Sequence, residues 1–430
     1  MAELTAEKAK EEKCYELLDG RDELRPFRDR FLIPRGSDGK EVIYLAGNSL
    51  GLQPKSVKSR IEQELEDWEK FAVEGHTKAK NPWMPYHEYL TAQTAEIVGA
   101  LPEEVVNMNS LTANLHFMFV SFYRPEKKKR KILIEGMSFP SDYYAVESQI
   151  RFHGLDPAEC IVEAKPRSGE HCIRTEDIEE VISAQSDEIA LVWLGGVNYY
   201  TGQAFEMERI TRAAHAKGIT VGFDLAHAAG NLRLRLHEWD IDFAVWCNYK
   251  YLNGGPGAIG GCYVNKRFHN DKDIPKFLGW WGHDKSTRFL MGHKFEPILT
   301  AESWQVSNPP ILQLASLKAS LDIFAEAGMD RLREKSVAMT SYLQHLIKEE
   351  LDGRVVIITP EESEERGCQL SLKLSRKGRQ IFNKLIERNV ICDWREPDVV
   401  RVAPAPLYNT FEDVYRFSEI LNELVRESGG

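Results

Sequence analysis

Lys250 stands where a lysine is hardest to keep charged. It follows a mostly apolar run, Ile241 to Cys247, inside Cys247-Asn248-Tyr249-Lys250-Tyr251-Leu252-Asn253-Gly254-Gly255-Pro256-Gly257, with aromatic residues on both sides. An ammonium at the end of a buried strand loses its hydration. A Schiff base with an aldehyde cofactor removes that cost and gives the amine a task. Asp224 ends another apolar run, in Phe223-Asp224-Leu225-Ala226-His227. A carboxylate there could pair with a protonated ring nitrogen and keep such a cofactor electron-withdrawing. His227 could stack or hydrogen-bond beside it. Alone, Asp224 reads better as a helix N-cap and His227 as a core histidine. The interval from Asp224 to Lys250 leaves room for one short crossover, which would put both residues at the same edge of a sheet. That juxtaposition tips the balance toward a cofactor.

Three further segments could complete such a site. Asn109-Ser110-Leu111-Thr112-Ala113-Asn114 opens an apolar helix with small hydrogen-bonding residues, a natural seat for a phosphate and equally an ordinary N-cap. Phe139-Pro140-Ser141-Asp142 follows a strand and could lay an aromatic ring over a flat cofactor, or simply staple a helix start. Arg401, in Val399-Val400-Arg401-Val402-Ala403-Pro404, needs a carboxylate partner inside an apolar strand. Its planar fork suits a substrate α-carboxylate or an internal salt bridge. The glycine-rich stretch Gly254 to Gly261 is not a P-loop, and no G-x-G-x-x-G opens an early βαβ unit. Gly222, Gly254 and Gly260 fit close packing and turns instead.

The elements that must hold these residues alternate. Strand-like runs at Ile132–Glu135, Cys160–Glu163, Ile189–Leu194, Ile219–Phe223 and Phe243–Trp246 are separated by helix-like stretches at Ser141–Arg151, Glu176–Ser183 (capped by Thr175) and Met207–Lys217. Strand, helix, strand predicts an α/β fold with a mostly parallel sheet, whose ligands sit at the strands' carboxyl ends. From Pro309 the pattern shifts to long helices at Leu312–Ala327 and Leu332–Glu350. Strands at Val355–Ile358, Cys368–Leu374 and Val399–Val402, a helix at Arg379–Arg388 and a closing helix at Thr410–Glu427 follow. This divides the chain into an arm (1–45), a large domain (46–310) and a smaller α/β domain (311–430).

Composition agrees with an ordinary globular enzyme. Of 430 residues 43% are hydrophobic and 28% charged, enough for a large core. A net charge of −11 argues against nucleic acid as a partner. The basic run Glu126–Lys131 reads as a solvated turn. The seven scattered cysteines form no C-x-x-C pair, which fits reduced thiols in the cytoplasm. Met1 to Glu12 shows no signal peptide. Val105–Tyr123 lacks charge, but its Asn, Ser, Thr and His residues argue for a strand end and a buried helix, with no membrane span.

Taken together, these residues closely resemble the kynureninase family, pyridoxal-phosphate enzymes of the aspartate-aminotransferase fold type (fold type I). The likeness runs from Leu45-Ala46-Gly47-Asn48-Ser49-Leu50-Gly51-Leu52 to Arg401 through Asn409. It includes Ser138–Asp142, Tyr200–Gln203, Phe223–His227, Tyr249–Asn253, Gly279–His283 and Ser307–Ile311. The resemblance implies Lys250 as the Schiff-base lysine and Asp224 as the ring-nitrogen partner. It implies Leu111, Thr112, Tyr249 and Trp280 as phosphate contacts, with Trp280 reaching across a homodimer interface. Phe139 would stack on the cofactor, and Ser141, Asp142, Gly195, His227 and Asn308 would line it. Gly195 departs from the family pattern, where a serine often stands. Arg401 would clamp the α-carboxylate, with Ser49, His76 and Asn308 in the substrate pocket.

The implied reaction is hydrolysis of the Cβ–Cγ bond of L-kynurenine or 3-hydroxykynurenine, in tryptophan catabolism and NAD biosynthesis. It gives alanine and an anthranilate. Lys250 would take the α-proton, and Tyr249 would shuttle a proton. The pair His76 and Asn308 leans toward the 3-hydroxy substrate. Two alternatives stand beside this. A cysteine desulfurase or selenocysteine lyase on the same fold would need a reactive cysteine on a mobile loop, whereas Cys262 and Cys368 lie in strand-like contexts. A non-catalytic scaffold would not need Lys250, Asp224 and Arg401 together.

Overall fold

The computed structural model describes residues 14–351, 353–374 and 377–428. The stretch Met1 to Glu12, expected to carry no signal peptide, lies outside them. So do the first thirteen residues of the expected arm.

The apolar runs become a seven-stranded sheet. Its strands are β1 (Val105–Asn107), β2 (Lys131–Glu135), β3 (Ile161–Ala164), β4 (Ile189–Gly195), β5 (Thr220–Asp224), β6 (Phe243–Cys247) and β7 (Gly260–Val264). Their order is β1-β7-β6-β5-β4-β2-β3. The pairings from β3 to β6 are parallel. Strand β7 runs antiparallel to β6 and β1. Strands β4 to β7 are buried along nearly all their length, the pattern of a sheet covered on both faces. The end of the glycine-rich stretch forms strand β7, as the strand-like context of Cys262 suggested, while Gly260 serves close packing. Gly260 lets it pass the start of a helix, because a Cβ there would lie 3.0 Å from the Ser110 carbonyl carbon and 3.1 Å from the Leu111 nitrogen.

Two helices matter most for the site. Helix α1 (Leu111–Phe122) follows β1, and helix α2 (Pro140–Phe152) follows β2. Aromatic stacking fixes α1 on the sheet: the Phe122 ring lies 4.5 Å from Phe243, which in turn stacks on Trp193 at 5.7 Å. Burying each such ring contributes roughly 1.5–3 kcal/mol. Gly222 makes room for it, since a Cβ there would sit 2.2 Å from the Phe243 ring. Thr175 was expected to cap its helix. It is instead the first helical residue, Arg174 holds the cap position, and no side chain caps it.

Helix α3 (Ile311–Ala327) packs its Leu314, Leu317, Leu321 and Phe324 into the large core, so that core continues beyond residue 310. Helix α4 (Met329–Leu351) leads to a four-stranded antiparallel sheet of β8 (Val355–Ile357), β9 (Leu370–Leu374), β10 (Asp393–Arg395) and β11 (Val399–Val402), in the order β8-β9-β11-β10. Closing helix α5 (Phe411–Glu427) starts at a capping box: the Asp413 amide donates to Thr410 Oγ1 and the Thr410 amide to Asp413 Oδ2. From the N-terminal segment, Cys14, Leu18, Ile43 and Leu45 join the core beneath this smaller sheet, while Leu24 and Phe31 join the large one. Among the described residues no helix is long and apolar enough to cross a membrane.

Candidate active site

The carboxyl ends of β2, β4, β5 and β6 and the starts of α1 and α2 meet around one cavity. Ten residues singled out from the sequence line it: Leu111 and Thr112, Phe139, Ser141 and Asp142, Gly195, Asp224 and His227, and Tyr249 and Lys250. Glu135, Val197, Tyr199 and Ala226 complete the wall. Gly195 and Asp224 are cross-strand partners in β4 and β5, and Asp224 pairs with Val245 in β6, five residues before Lys250. Asp224 is buried, and its Oδ1 accepts the Ala226 amide at 2.7 Å. That bond fixes the carboxylate at the strand's end and leaves Oδ2 for another partner; the residues that follow form turns, so the N-cap reading, which required a helix there, does not hold.

Charge in the cavity is tightly constrained. Lys250 Nζ lies 3.0 Å from His227 Nε2. Burial holds His227 well below its ordinary value, and the nearby Lys250 and Arg401 cations press it the same way. The imidazole is therefore neutral and accepts from Lys250 through Nε2. Its Nδ1 is buried without a protein partner. Burial also pushes Asp142 well up, and the adjoining Asp224 carboxylate adds to it. Asp224 is raised less, because Lys250, the Ala226 amide and Asp142 all favour its charge. Asp142 is thus the protonated member of the pair and Asp224 the anion. Part of the wall is aromatic: Phe139 crosses Tyr199 edge-on at 5.2 Å, and Lys250 Nζ lies 5.9 Å from the Phe139 and Tyr249 ring centres. Burial, and secondarily Cys247, pushes the Tyr249 phenol up, so it stays protonated.

At the other end, Ser110 precedes α1 in an extended conformation and its side chain makes no cap. The first-turn amides of α1 therefore lack a side-chain acceptor, and Thr112 Oγ1 lies 3.1 Å from Ser141 Oγ at the start of α2. Two hydroxyls and a helix N-terminus converge, a donor set suited to a phosphate. A ring nitrogen partner in Asp224, an amine in Lys250, a flat aromatic neighbour and orphaned polar atoms on Asp142 and His227 complete the fit to a phosphorylated pyridine aldehyde.

Arg401 lies beside this cavity and does not line it. It is 1% exposed; its Nη1 donates to the Tyr199 carbonyl at 2.7 Å, and its Nη2 meets Ser49 Oγ at 3.3 Å and the Asp393 carboxylate. Ser49 also donates to Asp393, and Arg395 reaches Asp393 Oδ1 at 2.5 Å. Of the two sequence readings of Arg401, the internal salt bridge is present, and Arg401 Nε is buried without a hydrogen-bond partner. His76, Trp280 and Asn308 are not brought to the cavity wall within this chain. His76 packs edge-on against Trp83 at 5.5 Å, Trp280 is 45% exposed, and Asn308 is exposed.

Comparison with known proteins gives this geometry a family. A profile of the kynureninase C-terminal domain matches residues 332–421, and one of the DegT/DnrJ/EryC1/StrS aminotransferase family matches residues 72–234. A kynureninase of Koribacter versatilis is 57% identical over 400 residues, 93% of this chain and 94% of that one. The chain belongs to the kynureninase family. A mouse kynureninase is 47% identical, with 96% of this chain and 92% of that protein covered. Among solved structures, the apo cysteine desulfurase of Thermococcus onnurineus superposes with a TM-score of 0.74 at 19% identity, covering 90% of this chain and 95% of that one. A cysteine desulfurase from Escherichia coli gives 0.75 at 16%, covering 94% and 99%. That likeness is one of fold, fold type I.

The cofactor is pyridoxal 5′-phosphate, and the family chemistry is hydrolysis of a carbon–carbon bond. Neither Cys262 nor Cys368 suits a desulfurase: both are fully buried, and burial pushes both thiols far above their ordinary range. Four wall residues escaped the sequence reading, Glu135, Val197, Tyr199 and Ala226, and Glu135 is the carboxyl among them. Glu135 ends β2 as Asp224 ends β5, and the same rule, an acid at a strand's carboxyl end, would have found it.

Proposed function

We propose that this enzyme hydrolyses the Cβ–Cγ bond of kynurenine or 3-hydroxykynurenine, releasing alanine and the corresponding anthranilate. The observation that carries this reading is the meeting of Lys250, anionic Asp224 and neutral His227 in one cavity, with Arg401 beside it. When bound, pyridoxal phosphate supplies an aldehyde for the substrate amine and a ring that draws electron density from the substrate carbon. Asp224 would face its ring nitrogen, Phe139 its plane, and Leu111, Thr112 and Tyr249 its phosphate. Ser141, Asp142, Gly195 and His227 would frame it.

The chain's own groups then divide the work. Arg401 and Arg395 share the single carboxylate of Asp393, which leaves one positive charge for a substrate α-carboxylate. Ser49 sits at that junction. Lys250 Nζ, its hydrogen bond accepted by a neutral imidazole, is the base for the α-proton. The Tyr249 hydroxyl, protonated in its buried setting, passes protons. We infer a homodimer in which Trp280 and Asn308 of each chain complete the neighbouring site. The support is a run of exposed apolar side chains around Trp280: Phe277, Leu278, Phe289, Leu290 and Met291. His76 and Asn308 would read the aryl ring and favour the 3-hydroxy substrate. A cytoplasmic enzyme is part of the same reading, with the arm (1–45), large domain (46–310) and small domain (311–430) of the sequence reading modified in that helix α3 packs into the large domain's core.

Release of the aryl acid from each substrate, followed by its absorbance, tests the proposal. Turnover of neither kynurenine sinks it, and a higher kcat/KM for the unhydroxylated one sinks the assignment of His76 and Asn308.

A further inference from the structure

Glu135 is the wall carboxyl without a task. It is 5% exposed, and its Oε2 accepts the Gly195 amide at 3.0 Å. A Cβ on Gly195 would stand 3.0 Å from Glu135 Oε1, closer than a side chain ordinarily tolerates. The absence of a side chain at Gly195 and the presence of a carboxyl at Glu135 are therefore one structural fact. Strand β4 lies between β2 and β5, so Glu135, Gly195 and Asp224 form a row along the carboxyl edge of the sheet.

We propose that Glu135 is a proton-holding positioning residue, seated on Gly195 so that its own protonation governs how firmly protons are held at Asp224 and the cofactor's ring nitrogen. Three carboxyl groups, Glu135, Asp142 and Asp224, share the cavity with the single nitrogen of Lys250, which carries at most one positive charge whether free or joined to the cofactor, and with a histidine that is neutral. From the β3 side, Lys165 is exposed and pairs with Glu163 at 2.7 Å, so it does not neutralise Glu135. From β4 the Gly195 amide faces it, and its own amide also favours the anion. Three anions against one cation cannot all persist in a buried space, so protons are retained there. Asp142 holds one against Asp224. Glu135 holds the second, and it is the more easily released, because the Gly195 amide stabilises its anion. Burial, with Asp224 adding to it, raises this group to about 7. When Glu135 ionises, its charge makes neighbouring groups cling to their protons; while it is protonated, they release them more readily.

The test is a pH titration of the visible absorption of the holoenzyme, wild type against Glu135→Gln. The amide matches the carboxyl in shape, still accepts from Gly195 through its oxygen, and never ionises. Its titration midpoint should fall by about half a pH unit or more, the scale of a lost like charge at close range. Coincident profiles, or a midpoint that rises, would overturn the proposal. Should Glu135→Gln fail to yield coloured protein, Gly195→Ala decides. Its Cβ pushes the Glu135 carboxyl off the amide and should lower the midpoint less but in the same direction; no shift overturns the idea. A wild-type protein that never turns yellow with pyridoxal phosphate would overturn both this proposal and the cofactor assignment. A yellow protein with unmoved profiles would overturn this proposal alone.

Discussion

Arg401→Lys separates substrate binding from cofactor binding. The guanidinium spans three partners at once: the Tyr199 carbonyl from Nη1, and Ser49 and Asp393 from Nη2. A lysine ammonium on an unbranched stem cannot reproduce that fork, so it cannot hold these groups and also meet a substrate carboxylate in bidentate fashion. Losing one hydrogen bond to a charged group costs about 1.5–3 kcal/mol, which is roughly tenfold to 150-fold in affinity. We expect KM to rise within that range. The dissociation constant for pyridoxal phosphate should stay within about twofold, because a residue off the cavity wall makes no direct hydrogen bond there. Folding should survive, since Asp393 keeps Arg395 and Ser49 as partners. The assay is steady-state release of the aryl acid, with fluorescence titration of the cofactor alongside. A KM within threefold of wild type, about 0.7 kcal/mol, would refute the clamp. Equal losses of cofactor and substrate binding would show that Arg401 only supports the cavity.

Lys250→Ala should bind cofactor without turnover, and borohydride should no longer fix a label to the chain; steady activity in this variant contradicts the role of the amine. Cys262→Ser and Cys368→Ser should retain kcat, because neither buried thiol reaches the cavity wall; loss of turnover in folded protein would reopen the desulfurase alternative. Glu135 predicts a pH effect on the stability of the cofactor-free protein. Its value is raised from 4.5 to about 7, so the folded state keeps a proton that the unfolded chain has released. The contribution is present in full below about 4.5 and is lost as pH rises through about 7, by roughly 3 kcal/mol in all. Urea unfolding at several pH values should show this decline in wild type and a shallower one in Glu135→Gln.

The fold was legible because its strands are buried on both faces and so read as continuous apolar runs. Strand β7 was legible from its apolar residues around Cys262, although Gly260 and Gly261 are poor strand formers. Their smallness serves packing: Gly260 clears the start of α1, and a Cβ on Gly261 would enter the Trp246 ring at 2.1 Å. The cavity wall was legible where a charged residue stands at or just past the end of an apolar strand, as at Asp224 and Lys250. Spacing alone could not tell whether Arg401 met a substrate or an internal acid, because Asp393 is its cross-strand partner and lies eight residues away in a short strand with no apolar pattern. His76, Trp280 and Asn308 were reached through the family likeness alone. No periodicity marks them, and within this chain they lie off the cavity wall.

Gly195 shows most clearly what a sequence hides. A missing side chain reads as a missing function, and at this position it looked like a gap in the family pattern. In three dimensions the space is taken by Glu135, sixty residues earlier in the chain and one strand away in the sheet. The polar group at this edge has not been lost, since a carboxyl from β2 fills the space a β4 side chain would need. A serine restored at Gly195 would therefore compete with Glu135 for the same volume. A carboxyl and a hydroxyl also differ in kind. The hydroxyl is neutral at every working pH, whereas the carboxyl can change charge within it. If both occur at this edge across the family, the enzymes should differ in how their cofactor colour responds to pH before they differ in the reaction they perform.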